Sequence, residues 1–139
     1  MPTHFLDVDY SEEFDFTLVG IASGQREHRL VWSVNTAMGW MLERSEDAEI
    51  TRKTGKSYHA RFRYMHPEDR IVYTLFANRG EGGLILPEWV QFGYLLKVEN
   101  DPWIVQDALC RSLRKSQFVQ AAIELPAEKV KSIHQLVLG

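Results

Sequence analysis

One cysteine, Cys110, in 139 residues excludes an intramolecular disulfide framework and a multi-cysteine zinc site. No apolar run approaches the roughly 18 residues that a membrane-crossing helix needs. The acidic N-terminus, MPTHFLDVDYSEEFD, lacks the cationic character of a secretory or mitochondrial leader. Positive charge is also scarce: 16 Lys and Arg against 19 Asp and Glu leave a net charge of -3, so nothing draws the whole chain toward phosphate or an anionic membrane. The histidines, His4, His28, His59, His66 and His134, show no ligand spacing, and no metal or cofactor is expected. These absences point to a cytoplasmic protein with neither membrane nor nucleic acid as partner. What the chain does hold is apolar and aromatic mass, 45% and 12% of residues, enough for one well-buried core.

Residues 1–13 read as an acidic lead and residues 14–139 as one α+β domain. FDFTLVGIAS (Phe14 to Ser23) turns from alternating to continuously apolar, which predicts a central strand. From Gln25 to about Met41, apolar residues recur every three or four positions, as in a helix with Trp32 outside the apolar arc. ERSEDAEI reads as an acidic connection into an edge strand near Ile50, and KTGK as a turn. Beyond it Tyr58, Ala60, Phe62 and Tyr64 alternate with His59, Arg61 and Arg63, predicting a strand with one basic, solvated face. HPED is a turn before the strand RIVYTLFANR, and NRGEGG a flexible loop. Phe92 to Val98 alternates again. Asn100 or Asp101 with Pro102 opens a second helix, with Ile104, Val105, Ala108, Leu109 and Leu113 on one face. Phe118 to Leu125 is a last strand, and Pro126 starts a short C-terminal helix with Val130 and Ile133. The expected fold is a mainly antiparallel sheet of about five strands with two longer helices on one face.

Within GLILPEWVQFGYLL, Glu88 carries the only charge between Leu84 and Leu96. Leu86, Pro87, Glu88, Phe92, Gly93 and Tyr94 stand at the spacing of a known signature, and the segment resembles the IPExxxVDY family of small bacterial proteins. Pro87, Glu88 and Tyr94 match its fixed letters. Leu86 and Phe92 replace its Ile and Val conservatively, while Gly93 stands where the family has Asp. The resemblance extends to FDFTLVGI, to the helix pattern of Arg29, Leu30, Trp32, Asn35, Ala37 and Gly39, and to the acidic segment after it. It implies a small soluble bacterial protein and no established activity. The Gly93 departure weighs against any scheme that pairs the signature's two carboxylates.

The residues alone leave several chemistries open. TGKS (Thr54 to Ser57) resembles the tail of a phosphate loop, but Ile50 stands where that loop needs Gly and a strand pattern follows, so a hairpin turn is expected. Arg52, Lys53, Lys56, His59, Arg61 and Arg63 form the main basic set, but the neighbouring aromatics alternate to the other face, against base stacking. Glu88 suits a structural cap or a buried pair better than a general base. Trp32, Trp40 and Trp89 are candidate contact anchors. The leading expectation is a non-enzymatic interaction or regulatory domain with an unknown protein partner, a homodimer among the arrangements. A small-molecule pocket near Glu88, Tyr94 and Arg79 is the alternative, and an RNA contact through the basic strand the third.

Overall fold

The structure, a computed structural model, describes residues 16–126. The expected acidic lead at residues 1–13 and the helix carrying Val130 and Ile133 lie outside the described residues. In chain order the elements are β1 (Phe16–Ala22), α1 (Glu27–Met38), β2 (Glu43–Arg52), β3 (Gly55–Met65), β4 (Val72–Ala77), β5 (Arg79–Gly80), β6 (Gly83–Leu84), a 3-10 turn (Pro87–Trp89), β7 (Tyr94–Glu99), α2 (Gln106–Leu113) and β8 (Ala121–Glu124). The fold is α+β: a six-stranded antiparallel sheet in the order β2-β3-β4-β7-β1-β8, with β5 and β6 forming a separate small ribbon.

β1 is buried on both faces because both faces are covered. Val19 and Ile21 join Leu30, Val34, Leu96, Val98 and Leu113 in a core beneath the two helices, which share one face of the sheet. Each such side chain contributes roughly 1.5–3 kcal/mol on burial. α1 stops at Gly39, whose left-handed φ of 70° lets its amide return to the Asn35 carbonyl at 2.8 Å. The Asn35 side chain also donates to the Leu42 carbonyl and accepts from the Leu42 amide, at 3.2 and 3.0 Å. The chain is thereby turned from α1 into β2. A hydroxyl pair, Ser33 and Ser116 at 2.7 Å, ties α1 to the end of α2.

The opposite face carries a second core that the sequence does not announce. Leu18, Ala48, Ile50, Phe76, Leu95 and Leu125 pack against Ile85, Leu86 and Phe92, with half-buried Trp89 alongside. The connection from β4 to β7 is thus a third layer. Gly20 is what lets it close: a Cβ there would sit 2.7 Å from the Phe92 ring.

Several expectations are corrected. ERSEDAEI is not a connection but the body of edge strand β2, which pairs with β3 across a register shift between Ser45 and Ala48. KTGK closes that hairpin. α2 begins at Gln106 rather than Pro102, because Asn100 takes φ 67° and the Asp101 carboxylate accepts the Trp103 amide at 3.2 Å, forming a separate turn first. Cys110 and Leu113 are its buried residues, Leu109 and the preceding Ile104 pack against the same core as expected, and Val105 and Ala108 are exposed. The last strand, in which Val119, Ala121, Ile123 and Leu125 are expected to share a face, instead buries Val119, Ala122 and Leu125 and leaves Ile123 43% exposed.

Candidate functional site

The signature segment is built around a residue outside it. Asn78, the residue after β4, is fully buried and directs its side-chain amide into the third layer. Its Nδ2 donates to the Phe92 carbonyl at 2.9 Å, with the Trp89 and Leu86 carbonyls at 3.3 and 3.4 Å. Its Oδ1 accepts the Leu86 amide at 2.8 Å. Backbone bonds from Asn78 to Gly93 and from Ile85 to Asn78, both 2.8 Å, complete the fastening. Within this frame Leu86 and Phe92 are core, and Pro87 opens the 3-10 turn, where its missing N–H costs nothing. Glu88 stands exposed in that first turn. Gly93 is exposed with open space where a Cβ would lie.

Tyr94 belongs to the other side of the sheet. Its ring lies in the helix-side core and its hydroxyl donates to the Gln25 carbonyl at 2.6 Å, just before α1. Burial, reinforced by Glu27, pushes the phenol up to about 12. The sheet therefore stands between the Tyr94 ring and the turn that carries Glu88, so these two do not line one cavity.

Beneath the third layer lies a polar pair with nucleophile-like geometry. His59 Nδ1 is 2.9 Å from the Ala77 carbonyl, and His59 Nε2 is 2.8 Å from Ser57 Oγ. A carbonyl only accepts, so Nδ1 holds the proton and Nε2 takes the serine hydroxyl. This is the arrangement that activates a serine. Here both residues are sealed, His59 at 0% exposure, and a Cβ on Gly80 would fall 2.1 Å from the Tyr58 carbonyl oxygen and 2.7 Å from the imidazole. The pair is a satisfied piece of the interior. Burial, with Arg52 adding to it, holds the imidazole below its ordinary range against the opposing Ala77 bond and Asp47.

The expected basic surface is broken up accordingly. His59 is interior. Arg52 is half-buried with its guanidinium on the Ile85 carbonyl, and Lys56 pairs with Glu49 at 3.3 Å. Arg61 donates through Nε to Ser45 Oγ and the Glu46 carbonyl at 3.2 and 3.0 Å, and Lys53, Lys56 and Arg63 are the exposed members of the set. A cation absent from the set, Lys97, is 2% exposed between Glu99 at 3.6 Å and the Phe16 ring at 5.2 Å. Burial pulls its ammonium down from the usual lysine range, Glu99 opposes, and Arg63 and Arg61 add to the fall.

The tryptophans divide. Trp40, expected as an anchor, is buried and stacked on Tyr73 with ring centroids 4.0 Å apart. Trp89 is half-buried against Phe92 at 6.3 Å. Trp32 is 57% exposed on the outer side of α1. Beside it, Phe118 lies 6.3 Å away at a 45° tilt, with the Arg29 guanidinium 5.0 Å above the Phe118 ring. His28, Arg29, Trp32, Gln117 and Phe118 line an open groove of about 420 Å³. Trp103, 87% exposed in the turn before α2, is the aromatic that pattern reading passes over. The polar run ENDPW marks it as a turn residue, which is the one available signal.

Among the described residues no group of three or more His, Cys, Asp or Glu side chains gathers at a metal-sized site, and no helix is long and apolar enough to cross a membrane. Cys110 is buried, and burial raises its thiol above the ordinary range, away from nucleophile chemistry. Comparison with family models, curated proteins and solved structures finds no match for the chain.

Proposed function

We propose that this chain is a non-enzymatic protein-interaction or regulatory domain of the bacterial cytoplasm, the bacterial origin being what the IPExxxVDY resemblance implies. The observation that carries the reading is the groove between Trp32 and Phe118, where two rings and the Arg29 guanidinium face solvent on the helix side. Tryptophan and arginine together are the residues most enriched at the energetic centres of protein contacts. The signature segment supports the reading from the other side, because its apolar residues are spent on the second core and Asn78 holds them there. A free buried thiol agrees with a reducing compartment.

A photo-crosslinking residue at Thr36, exposed one helical turn beyond Trp32, tests it in the cell. The expected result is one protein adduct, identified by mass spectrometry, that Trp32→Ala removes. Adducts unchanged by Trp32→Ala, or none, would overturn the reading. Salt-steep binding of single-stranded RNA that the same substitution abolishes would replace it with a nucleic-acid function.

A further inference from the structure

We infer that the partner in the Trp32–Phe118 groove is a second copy of this chain, whose Trp103 enters it, in a two-fold dimer with the α2 helices antiparallel. This rests on the proposed interaction function and adds the identity of the occupant. Trp103 precedes α2 by three residues and Phe118 follows it by five, so the projecting ring and the groove stand at opposite ends of one helix about 12 Å long. A two-fold axis across the middle of α2 lays each helix against its mate in the reverse direction. Both contacts then form at once: each Trp103 meets the groove of the partner, the reciprocity that an isologous interface requires.

Charge along this surface points the same way. Asp101 and Asp107 sit at the start of α2, with Asp69 beside Trp103, while Arg111, Arg114 and Lys115 sit at its end. At the groove the charge that lines the wall is the Arg29 guanidinium, in a chain whose overall charge is -3. An acidic end thus meets a basic end only when the helices run antiparallel, and a parallel pairing sets like charges together. Exposed Ala108 is small enough to let the two helices approach. The groove's 420 Å³ is ample for one indole, and its walls of two rings and a guanidinium suit an aromatic guest.

Sedimentation equilibrium of the full chain over a concentration series reaching the millimolar range tests this. The wild-type chain is expected to dimerise, and Trp103→Ala and Trp32→Ala, both on exposed side chains, should each weaken association roughly tenfold or more. The decisive arm mixes the two variants. Neither can form a knob-in-groove contact with itself, yet a heterodimer keeps one intact, so the equimolar mixture should associate more strongly than either alone. Circular dichroism of each variant confirms that folding is unchanged. A wild-type chain that stays monomeric, variants that dimerise like the wild type, or a mixture that gains nothing would each overturn the inference. The crosslink at Thr36 separates this failure from the broader one: a single adduct to a different protein leaves the interaction domain standing and removes the self-partner.

Discussion

Replacing Asn78 with alanine asks whether residues 84–93 are held by one amide or by their own apolar side chains. The substitution removes the donor to the Phe92 carbonyl at 2.9 Å and the acceptor for the Leu86 amide at 2.8 Å, both inside the protein. Each net hydrogen bond contributes about 0.5–1.5 kcal/mol, and a buried amide left unpaired costs about 1–3 kcal/mol more. Because Leu86 is fully buried, water cannot take the place of Oδ1 without opening the layer. The expected loss is therefore about 2–4 kcal/mol, a large part of the 5–15 kcal/mol typical of a domain. Urea unfolding followed by tryptophan fluorescence measures it. Amide exchange assigns it: Leu86 N–H should lose protection before Ile85 N–H, which bonds to the Asn78 backbone and keeps its partner. Asn78→Asp sharpens the test, since a carboxylate would face carbonyls and lose the donor. At neutral pH it should be less stable than the alanine variant. It should recover on acidification, because a carboxyl with its folded pKa raised contributes stability below its unfolded pKa and loses it as pH rises. An alanine variant within about 0.5 kcal/mol of wild type would show that apolar packing of Ile85, Leu86 and Phe92 suffices, and would refute the reasoning.

Three further outcomes follow from the interior. His59 is held neutral by burial, so the unfolded chain takes up a proton near pH 6.5 that the folded one refuses; stability should fall as pH drops below that point, more steeply than in His59→Gln, and equal slopes would remove the explanation. Because the Tyr94 phenol is pushed up to about 12, its ionisation in the unfolded chain alone should lower stability by ~2 kcal/mol between pH 10 and 12; Tyr94→Phe should remove that contribution, leaving the smaller alkaline slope of Tyr73, and cost about 1 kcal/mol at neutral pH through the lost bond to Gln25. Gly20→Ala should destabilise by at least about 1–3 kcal/mol because its Cβ meets the Phe92 ring, whereas Gly93→Ala, with open space and no left-handed φ, should be neutral or stabilise by up to about 1 kcal/mol, both read as shifts in Tm.

Local pattern gave access to elements more readily than to what covers them. The run of β1, alternating and then apolar, announced a central strand, and KTGK announced its hairpin, because both depend on neighbours in sequence. The alternation of β3 likewise assigned His59, Arg61 and Arg63 to one face. It could not say that residues 78–93 fold over half of that face and enclose His59, since Ile85, Leu86 and Phe92 follow neither a helical nor a strand period. Asn78 is invisible for the same reason: its partners at positions 86, 89 and 92 are backbone carbonyls, which every residue has. Trp40 and Trp32 differ by position relative to the Gly39 stop. Trp32 lies on the outer side of α1, while Trp40 lies past the stop, where the chain has already turned back onto Tyr73.

The signature that drew attention in the sequence therefore has a physical job that chemistry need not supply. Leu86 and Phe92 fill the second core, Pro87 starts the turn between them, Tyr94 anchors the entry to α1, and Pro87, Glu88 and Gly93 form its exposed edge. Such a segment is constrained by packing, and substitutions in it should be felt in stability before they are felt in any partner. The opposite holds on the helix side. A single exposed ring is ordinary on a protein surface. Trp103 in the turn before α2 and Trp32 on α1, beside the Phe118 that follows α2, are 87% and 57% exposed, and the charges of α2 also reverse from end to end, a pattern that folding alone does not require. Removing either ring should leave Tm nearly unchanged, which places the selective value of that surface in what it touches rather than in what it holds up.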